Sequence, residues 1–457
     1  MNLIALLMAC RVWTGPARSV FTRIFAAVSL FSVEMQLATI AGVGHLRELR
    51  WVNGAAAAVS LGLWVARRNG ADRDRVRSPG HVANRSLRAG VLTLCAVVAA
   101  LNLLRPLEAA DPYHLVRMAQ IERLGTLQYD VGADAKVNVL GFTYELLLAD
   151  LHQVPGVGPL LVRLHGLWSI VLLLVALAAI RQWLAPPEGW PALVLLCVPV
   201  AFHQFVLVKN DLFGAMPVLV VLAWLATAAG AATPFEIAWA GWLAGLAIGV
   251  KLTLFPVVLV LLGVIAGTRR ESWRPVAGLA LGGLAGVVCG GLAFTLAENL
   301  RWYGNASGPL ADLGNRNSDV AAVATGVWRF AISLVDFGLV TRRLWPGRGG
   351  WGGTFGLPFL WAAGVLCIAS RTSWEARRAL TIAACSLFAF AAVYPDADIA
   401  HRMVLGPGLF AVAAALAVVD EAQLTPRWRG LRLALVPVMA LSVAQILRSA
   451  ALYLLTP

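Results

Sequence analysis

The chain has 457 residues, 59% of them hydrophobic and 13% charged, with a formal net charge of +13. Soluble domains carry roughly 45–50% apolar and about 25% charged residues, so this composition excludes an ordinary soluble protein. Apolar runs near the roughly 20 residues needed to cross hydrocarbon recur along the length. The expected class is an all-α polytopic membrane protein.

The opening stretch MNLIALLMACRVWTGPARSV has no basic residue ahead of its apolar run, so it is expected to stay in the mature chain. The six cysteines (Cys10, Cys95, Cys197, Cys289, Cys367 and Cys385) lie in apolar runs and form no CxxC pair. They read as buried small hydrophobes, with neither a disulfide nor zinc implied. Most of the positive charge is arginine, gathered in RRNGADRDRVRSPGHVANRSLR (67–88), TRRESWR (268–274), SRTSWEARR (370–378) and TPRWRGLR (425–432). The positive-inside rule puts these segments in the cytoplasm, and nucleic acid is not needed to explain the charge.

In chain order, residues 1–88 hold two N-terminal spans and the first basic loop. A span from Leu92 to Leu104 leads to an outer segment, 107–159, and the run from Leu160 to Trp183 returns. The stretch from Trp190 to Ala232 is broken by Lys209, Asn210 and Asp211 into two spans with that tripeptide outside. The stretch from Ile237 to Ala266 contains one charge, Lys251. As a single helix it would put TRRESWR outside, so two short helices turning at Lys251 are expected. The turn also spares a mid-bilayer lysine, at roughly 2.5–3.5 kcal/mol.

A span from Val276 to Leu296, an outer loop 298–353, a span ending at Ala369, and spans Ala379–Val393, Met403–Val419 and Leu433–Leu454 complete the count. The total is about thirteen, with the N-terminus inside and the C-terminus outside. Residues 89–420 form the core, and 421–457 a cytoplasmic loop and last helix. Glycines at every fourth position (Gly241, Gly245 and Gly249; Gly278, Gly282, Gly286 and Gly290) predict close helix packing.

On this topology Asp111, His114, Asp130, Asp134, Glu145, Asp211, Lys251, Arg301, Tyr303, Asn305, Asp396, Asp398, His401 and Arg402 share the outer face. Each has a plain alternative. Asp111 and Pro112 read as a helix N-cap and first helical residue. The helix that follows reads as amphipathic, lying on the membrane through Leu115, Met118, Ala119 and Ile121, with His114 and Arg117 on a common face. Asp211 fits the cap of a helix from Leu212, and Lys251 fits a snorkelling lysine. Together, acids and cations on short outer loops point to a site.

Five segments carry a resemblance: DPYHLVRMAQIERLGTL, KNDLFGAMPVLVVLAW, GLAIGVKLTLFPVVLVLL, NLRWYGNASGPL and AHRMVLGPGLFAVAAALA. In that order they resemble the GT-C superfamily of integral-membrane glycosyltransferases, which includes the protein mannosyltransferases and the lipid A aminoarabinose transferase. The likeness covers roughly residues 90–419, with Met403 where the family usually has an aromatic.

The resemblance implies a GT-C-like bundle with amphipathic juxtamembrane helices in its first large outer loop, set in a bacterial plasma membrane. It implies transfer of a hexosyl or pentosyl unit from a polyprenyl-phosphate donor to an extracytoplasmic glycan, lipid or protein, with inversion. Asp111 matches the catalytic base, and Asp211 a second acid that orients the acceptor, supports Asp111 or helps bind a cation. Lys251 and Arg402 match positions holding the donor phosphate, with Arg301 and His114 as further contacts. Glu145, Tyr303, Asn305 and His401 are candidates for the acceptor or sugar. A divalent cation (Mg, Mn or Ca), if used, would fall to Asp111, Asp211 and His114. Two alternatives stand beside this reading: a transporter or flippase of a lipid-linked substrate, and a polymerase or ligase of lipid-linked glycans. The second is kept by Arg301, Arg316, Arg329, Arg342, Arg343 and Arg348 in the loop 298–353.

Overall fold

The computed structural model describes residues 2–10, 20–42, 46, 48–70, 85–104, 112–130, 141–184, 193–227, 232–268, 273–306, 308, 355–393, 404–421 and 426–455, with short pieces between 324 and 334. Among them all regular structure is helical, as apolar surroundings demand of a backbone that must satisfy its own polar groups. First come α1 (Asn2–Cys10), α2 (Val20–Ala41), α3 (Leu49–Gly70) and α4 (Arg85–Leu104), then the short α5 (Pro112–Leu124), α6 (Thr143–His152) and α7 (Gly158–Arg163). The middle of the chain gives α8 (His165–Ile180), α9 (Leu193–Leu196), α10 (Pro199–Val206), α11 (Asp211–Thr227), α12 (Pro234–Val250) and α13 (Phe255–Thr268). Next are α14 (Trp273–Cys289), α15 (Leu292–Tyr303), α16 (Gly356–Ala369) and α17 (Trp374–Val393). The last helices are α18 (Leu405–Glu421), α19 (Pro426–Leu433) and α20 (Leu435–Leu455).

Four stretches are long and apolar enough to cross a membrane: Val20–Ala41, Leu87–Leu104, Trp374–Val393 and Trp428–Arg448. The pair Pro275–Cys289 and Leu292–Tyr303, bent by 60°, makes a fifth if taken as one span. Six further apolar helices are shorter. These described helices do not reach the expected thirteen, because breaks shorten the runs. The 17 residues of α11 rise about 26 Å at 1.5 Å each, against about 30 Å of hydrocarbon. α3, which ends in Arg67, Arg68, Asn69 and Gly70, is not among the four.

The flanks show what solvent the bundle suits. On α4 and α20, Leu92 is 69% exposed and Leu447 57%. In water each such leucine forgoes about 1.5–3 kcal/mol of burial, whereas lipid tails are as apolar as leucine itself. The hub is α11, buried on every face from Asp211 to Ala226, the pattern of a core helix.

The glycine stripes join α12 to α14. A Cβ on Gly245 would lie 2.0 Å from the Gly283 carbonyl oxygen, and one on Gly286 would lie 2.1 Å from that of Trp242. The pairings advance together, with Gly282 on Ala238, Gly286 on Trp242 and Gly290 on Gly249. The two helices therefore run parallel, and α13 between them must carry the chain back. The reversal falls at Lys251, the C-cap of α12, followed by a single 3-10 turn, Leu252–Leu254. Gly245→Val is expected to force these backbones apart and lower the unfolding temperature in detergent, since overpacking costs about 1–3 kcal/mol.

The same contacts sort the helix ends. Asp211, at the start of α11, is paired with Lys251, and Gly406 in the first turn of α18 packs on Ala215 of α11. Phe355, just before α16, packs on Gly408. Gln36 near the end of α2 donates to the Val288 carbonyl at 3.0 Å. Asn102 near the end of α4 accepts from Gly166 N–H at 3.1 Å and donates to the Phe205 carbonyl at 3.2 Å. The helix ends flanking the four arginine-rich segments lie at the opposite end of the bundle.

Asn2 departs from expectation. Its backbone and side-chain N–H groups donate to Asp150 Oδ1 at 3.1 and 3.0 Å, and its amide reaches the Leu46 carbonyl at 3.3 Å. Asn2 thus sits at the end where α2 finishes, opposite the arginine-rich end expected for the N-terminus. The start of α2 is at that far end, where Thr22 accepts from the Trp239 indole at 3.3 Å.

Candidate functional site

Residues 207–210 interrupt the apolar run, and Asp211 opens α11 with its carboxylate fully buried. The Lys251 ammonium is ion-paired with it, and the lysine side chain is 14% exposed. Each charge also complements its helix dipole, the acid at an N-terminus and the base at a C-terminus. Capping and snorkelling, which explained the two residues separately, are replaced by one shared pair. Desolvation offsets most of the attraction in such a pair. Little net stability is left to explain two charges held inside an apolar bundle.

Beside it, α5 and α6 lie parallel, fastened twice. His114 Nδ1 pairs with Glu145 Oε1, and farther along the same two helices His152 Nδ1 meets Glu122 Oε1 at 2.8 Å. The first pair is buried, with Glu145 wholly so, and the second is partly exposed. Glu145 Oε2 is buried without a hydrogen-bond partner among the described residues. α5 begins at Pro112, as a proline at the first helical position predicts.

Aromatic and backbone contacts draw these pairs together. The Tyr144 ring meets His114 edge-on at 5.9 Å and Phe213, two residues past Asp211, at 6.1 Å. Gly141, just ahead of α6, abuts the carbonyl of Val250, the neighbour of Lys251. The Thr143 hydroxyl donates to the Gly290 carbonyl at 2.6 Å. The Phe142 ring closes over Gly291, whose φ of +86° sets the bend between α14 and α15. Four elements thus deliver two acid–base pairs to one end of the bundle.

Among the described residues the most buried cation, Arg117, was not one of the expected site residues. It is 1% exposed. Its guanidinium donates to Gln120 Oε1 at 2.9 Å and to the carbonyls of Leu127 and Gln128 at 2.9 and 3.3 Å. It also lies 5.4 Å from the centre of the Tyr129 ring. Burial pulls its pKa below the ordinary arginine value, partly offset by neighbouring groups that include the acids Glu145 and Glu298. The Tyr129 hydroxyl donates toward Asn299 Oδ1 at 2.9 Å and the Thr295 carbonyl at 3.2 Å. Burial, foremost, raises the Tyr129 phenol well above its ordinary pKa, so it stays a neutral donor.

This inverts the expected setting of α5. Met118 and Ile121 are buried inside the protein with His114, Arg117 and Gln120, while Tyr113, Val116 and Ala119 are exposed. The two terminal nitrogens of Arg117 donate to carbonyls of the following loop and to Gln120, which makes burying its charge feasible. The available signal was its place one turn from His114.

Of the other candidates, Arg301 is two-thirds exposed, 3.6 Å from Glu298 and 5.5 Å from the centre of the Trp302 ring. The Tyr303 ring lies 6.4 Å from Tyr129, and the half-buried Asn305 donates to the Tyr303 carbonyl at 3.4 Å. These two therefore gather around the Arg117–Tyr129 group. Asp111, His401 and Arg402 lie outside the described residues, as do Asp134, Asp396 and Asp398. Among the described residues no group of three or more His, Cys, Asp or Glu assembles as a metal site. Of the candidate ligands, Asp211 faces the Lys251 ammonium and His114 faces Glu145, a poor setting for a cation.

No family model matches the chain, and no curated protein or solved structure matches it either.

Proposed function

We propose that the chain is a membrane glycosyltransferase, moving a hexosyl or pentosyl unit from a polyprenyl-phosphate donor to an extracytoplasmic hydroxyl in the bacterial plasma membrane. One observation carries the reading: the buried Asp211–Lys251 pair sits at a chain reversal, against the His114–Glu145 pair. Both lie at the end of the bundle opposite the helix ends that flank the arginine-rich segments. If those segments face the cytoplasm, the paired charges face outward.

The chemistry suits such a layout. The attacking hydroxyl must lose a proton, which calls for a base. The leaving lipid phosphate is already a stable anion and needs positive charge aimed at it more than a proton. Lys251, held by Asp211 at a helix end, supplies that charge, and the resemblance adds Arg402 beside it. The same resemblance names Asp111 as a base and extends the bundle to about thirteen spans around a core of residues 89–420. A transporter would place its polar groups near the bilayer midplane, whereas these lie at helix ends.

The test is transfer itself. Purified protein in lipid nanodiscs, given radiolabelled polyprenyl-phosphate sugars, is expected to yield a glycosylated acceptor with inverted anomeric configuration. Retained configuration contradicts single displacement. Movement of the lipid across vesicles without any transfer favours a flippase.

A further inference from the structure

We infer that the arginine-rich end of α16 to α19 is a docking surface for anionic phospholipid headgroups of the leaflet it meets. The inference stands apart from glycosyl transfer, since it concerns the opposite end of the bundle. Two chain reversals adjoin there. Residues 370–373 join α16 to α17, and α18 ends at Glu421 before α19 begins at Pro426. The Trp361 indole of α16 donates to the Leu431 carbonyl of α19 at 3.0 Å, and Arg432 of α19 lies 3.8 Å from Asp420 of α18. Arg377 Nε closes the first reversal on the Ser370 carbonyl at 3.1 Å. These contacts gather Arg371, Arg377, Arg378, Arg429 and Arg432 at one end of neighbouring helices.

Much of this charge is left over. Arg371 and Arg429 are exposed, and neither forms an ion pair among the described residues. Arg378 is half-buried, with Nη2 shielded from solvent and lacking a hydrogen-bond partner among the described residues. Of the acids at this end, Asp420 faces Arg432, and Glu375 accepts from the Ser373 hydroxyl at 2.8 Å. At the opposite end, by contrast, Arg123 faces Asp130, Lys251 faces Asp211 and Arg301 faces Glu298. Orienting the helices during insertion asks only for positive charge in the sequence. It does not require guanidinium groups to stay unpaired once the helices have packed. Trp374, 65% exposed, precedes Arg378 by one helical turn, and Leu433 is 69% exposed. An exposed indole beside apolar surface is the setting of a membrane–water interface. A guanidinium there matches the paired oxygens of a phosphodiester, which an anionic bilayer presents at that depth.

The experiment places the full chain in nanodiscs of equal phosphatidylglycerol and phosphatidylcholine, then reads by native mass spectrometry which lipid stays bound on release. Each arginine near an anionic surface strengthens binding about fivefold. Wild type is therefore expected to retain phosphatidylglycerol over phosphatidylcholine by about tenfold or more, a preference that weakens as salt rises. The triple variant Arg371→Gln, Arg378→Gln, Arg429→Gln is expected to lose that preference while its unfolding temperature in detergent stays near wild type. Arg371→Gln alone, at an exposed and unpaired position, is expected to lose about fivefold, whether or not the triple variant folds. Arg123→Gln removes an arginine already paired at the opposite end and is expected to leave the preference unchanged. Equal retention of both lipids by wild type, or an undiminished preference in the Arg371→Gln and triple variants, overturns the proposal. So does a preference that falls as far in Arg123→Gln as in Arg371→Gln, which would report net charge and not this surface.

Discussion

Lys251→Met is expected to lower kcat for transfer by about 10²–10³-fold, the loss typical of removing a group aimed at developing negative charge. It is also expected to strand Asp211, whose carboxylate is fully buried. Breaking a buried pair by removing one partner costs about 3–5 kcal/mol, a large part of the roughly 5–15 kcal/mol that holds a protein folded. The double variant Asp211→Leu with Lys251→Met separates the two effects. Replacing both charges by apolar side chains is often neutral or stabilising, so the unfolding temperature in detergent should recover while transfer stays lost. Recovery of both would reduce the pair to packing.

Arg117→Met carries the next largest effect, for a different reason. Arg117 pins the chain after α5 through the Leu127 and Gln128 carbonyls. That loop is otherwise held by Leu127 N–H on the Thr39 hydroxyl at 3.1 Å and by Leu46 N–H on the Gly125 carbonyl at 3.1 Å. Without the guanidinium, Glu145 and Glu298 also lose a nearby positive charge. The expected cost is about 1–3 kcal/mol, as for buried acceptors left without a donor. It should appear as a lower unfolding temperature and faster hydrogen exchange across residues 125–130. Arg117→Lys should rescue little, since an ammonium cannot reproduce the planar fork that serves three acceptors. An unfolding temperature equal to wild type would show that the cation is not structurally needed.

These residues also mark what could be read from the sequence. Lys209, Asn210 and Asp211, like Lys251, do interrupt helices, because a charge within an apolar run needs water or a partner. Parity of the arginine-rich segments demanded a reversal at Lys251, and the parallel packing of α12 on α14 requires the same reversal. That Asp211 and Lys251 share one ion pair was not legible, since capping and snorkelling explain each from local sequence alone. Nor was the facing of α5. Amphipathicity tells which sides differ, but a helix set between lipid and a polar interior turns its polar side inward. Hydropathy measures the length of a run and does not show the bend at Gly290 and Gly291 that divides the run counted as one span from Val276 to Leu296. The short α1 escaped the parity count altogether, which is why Asn2 lies at the unexpected end.

The proposed transfer depends on one expected property: that the buried lysine, held by an acid, prefers the phosphate of a prenyl lipid. The most direct test compares binding of polyprenyl phosphate with uncharged polyprenol, by native mass spectrometry, to wild type and to the Asp211→Leu, Lys251→Met double variant. Tighter binding of the phosphate by wild type, lost in the double variant, is the predicted result. Equal binding of both lipids by wild type, or an undiminished preference after the lysine is gone, would contradict it.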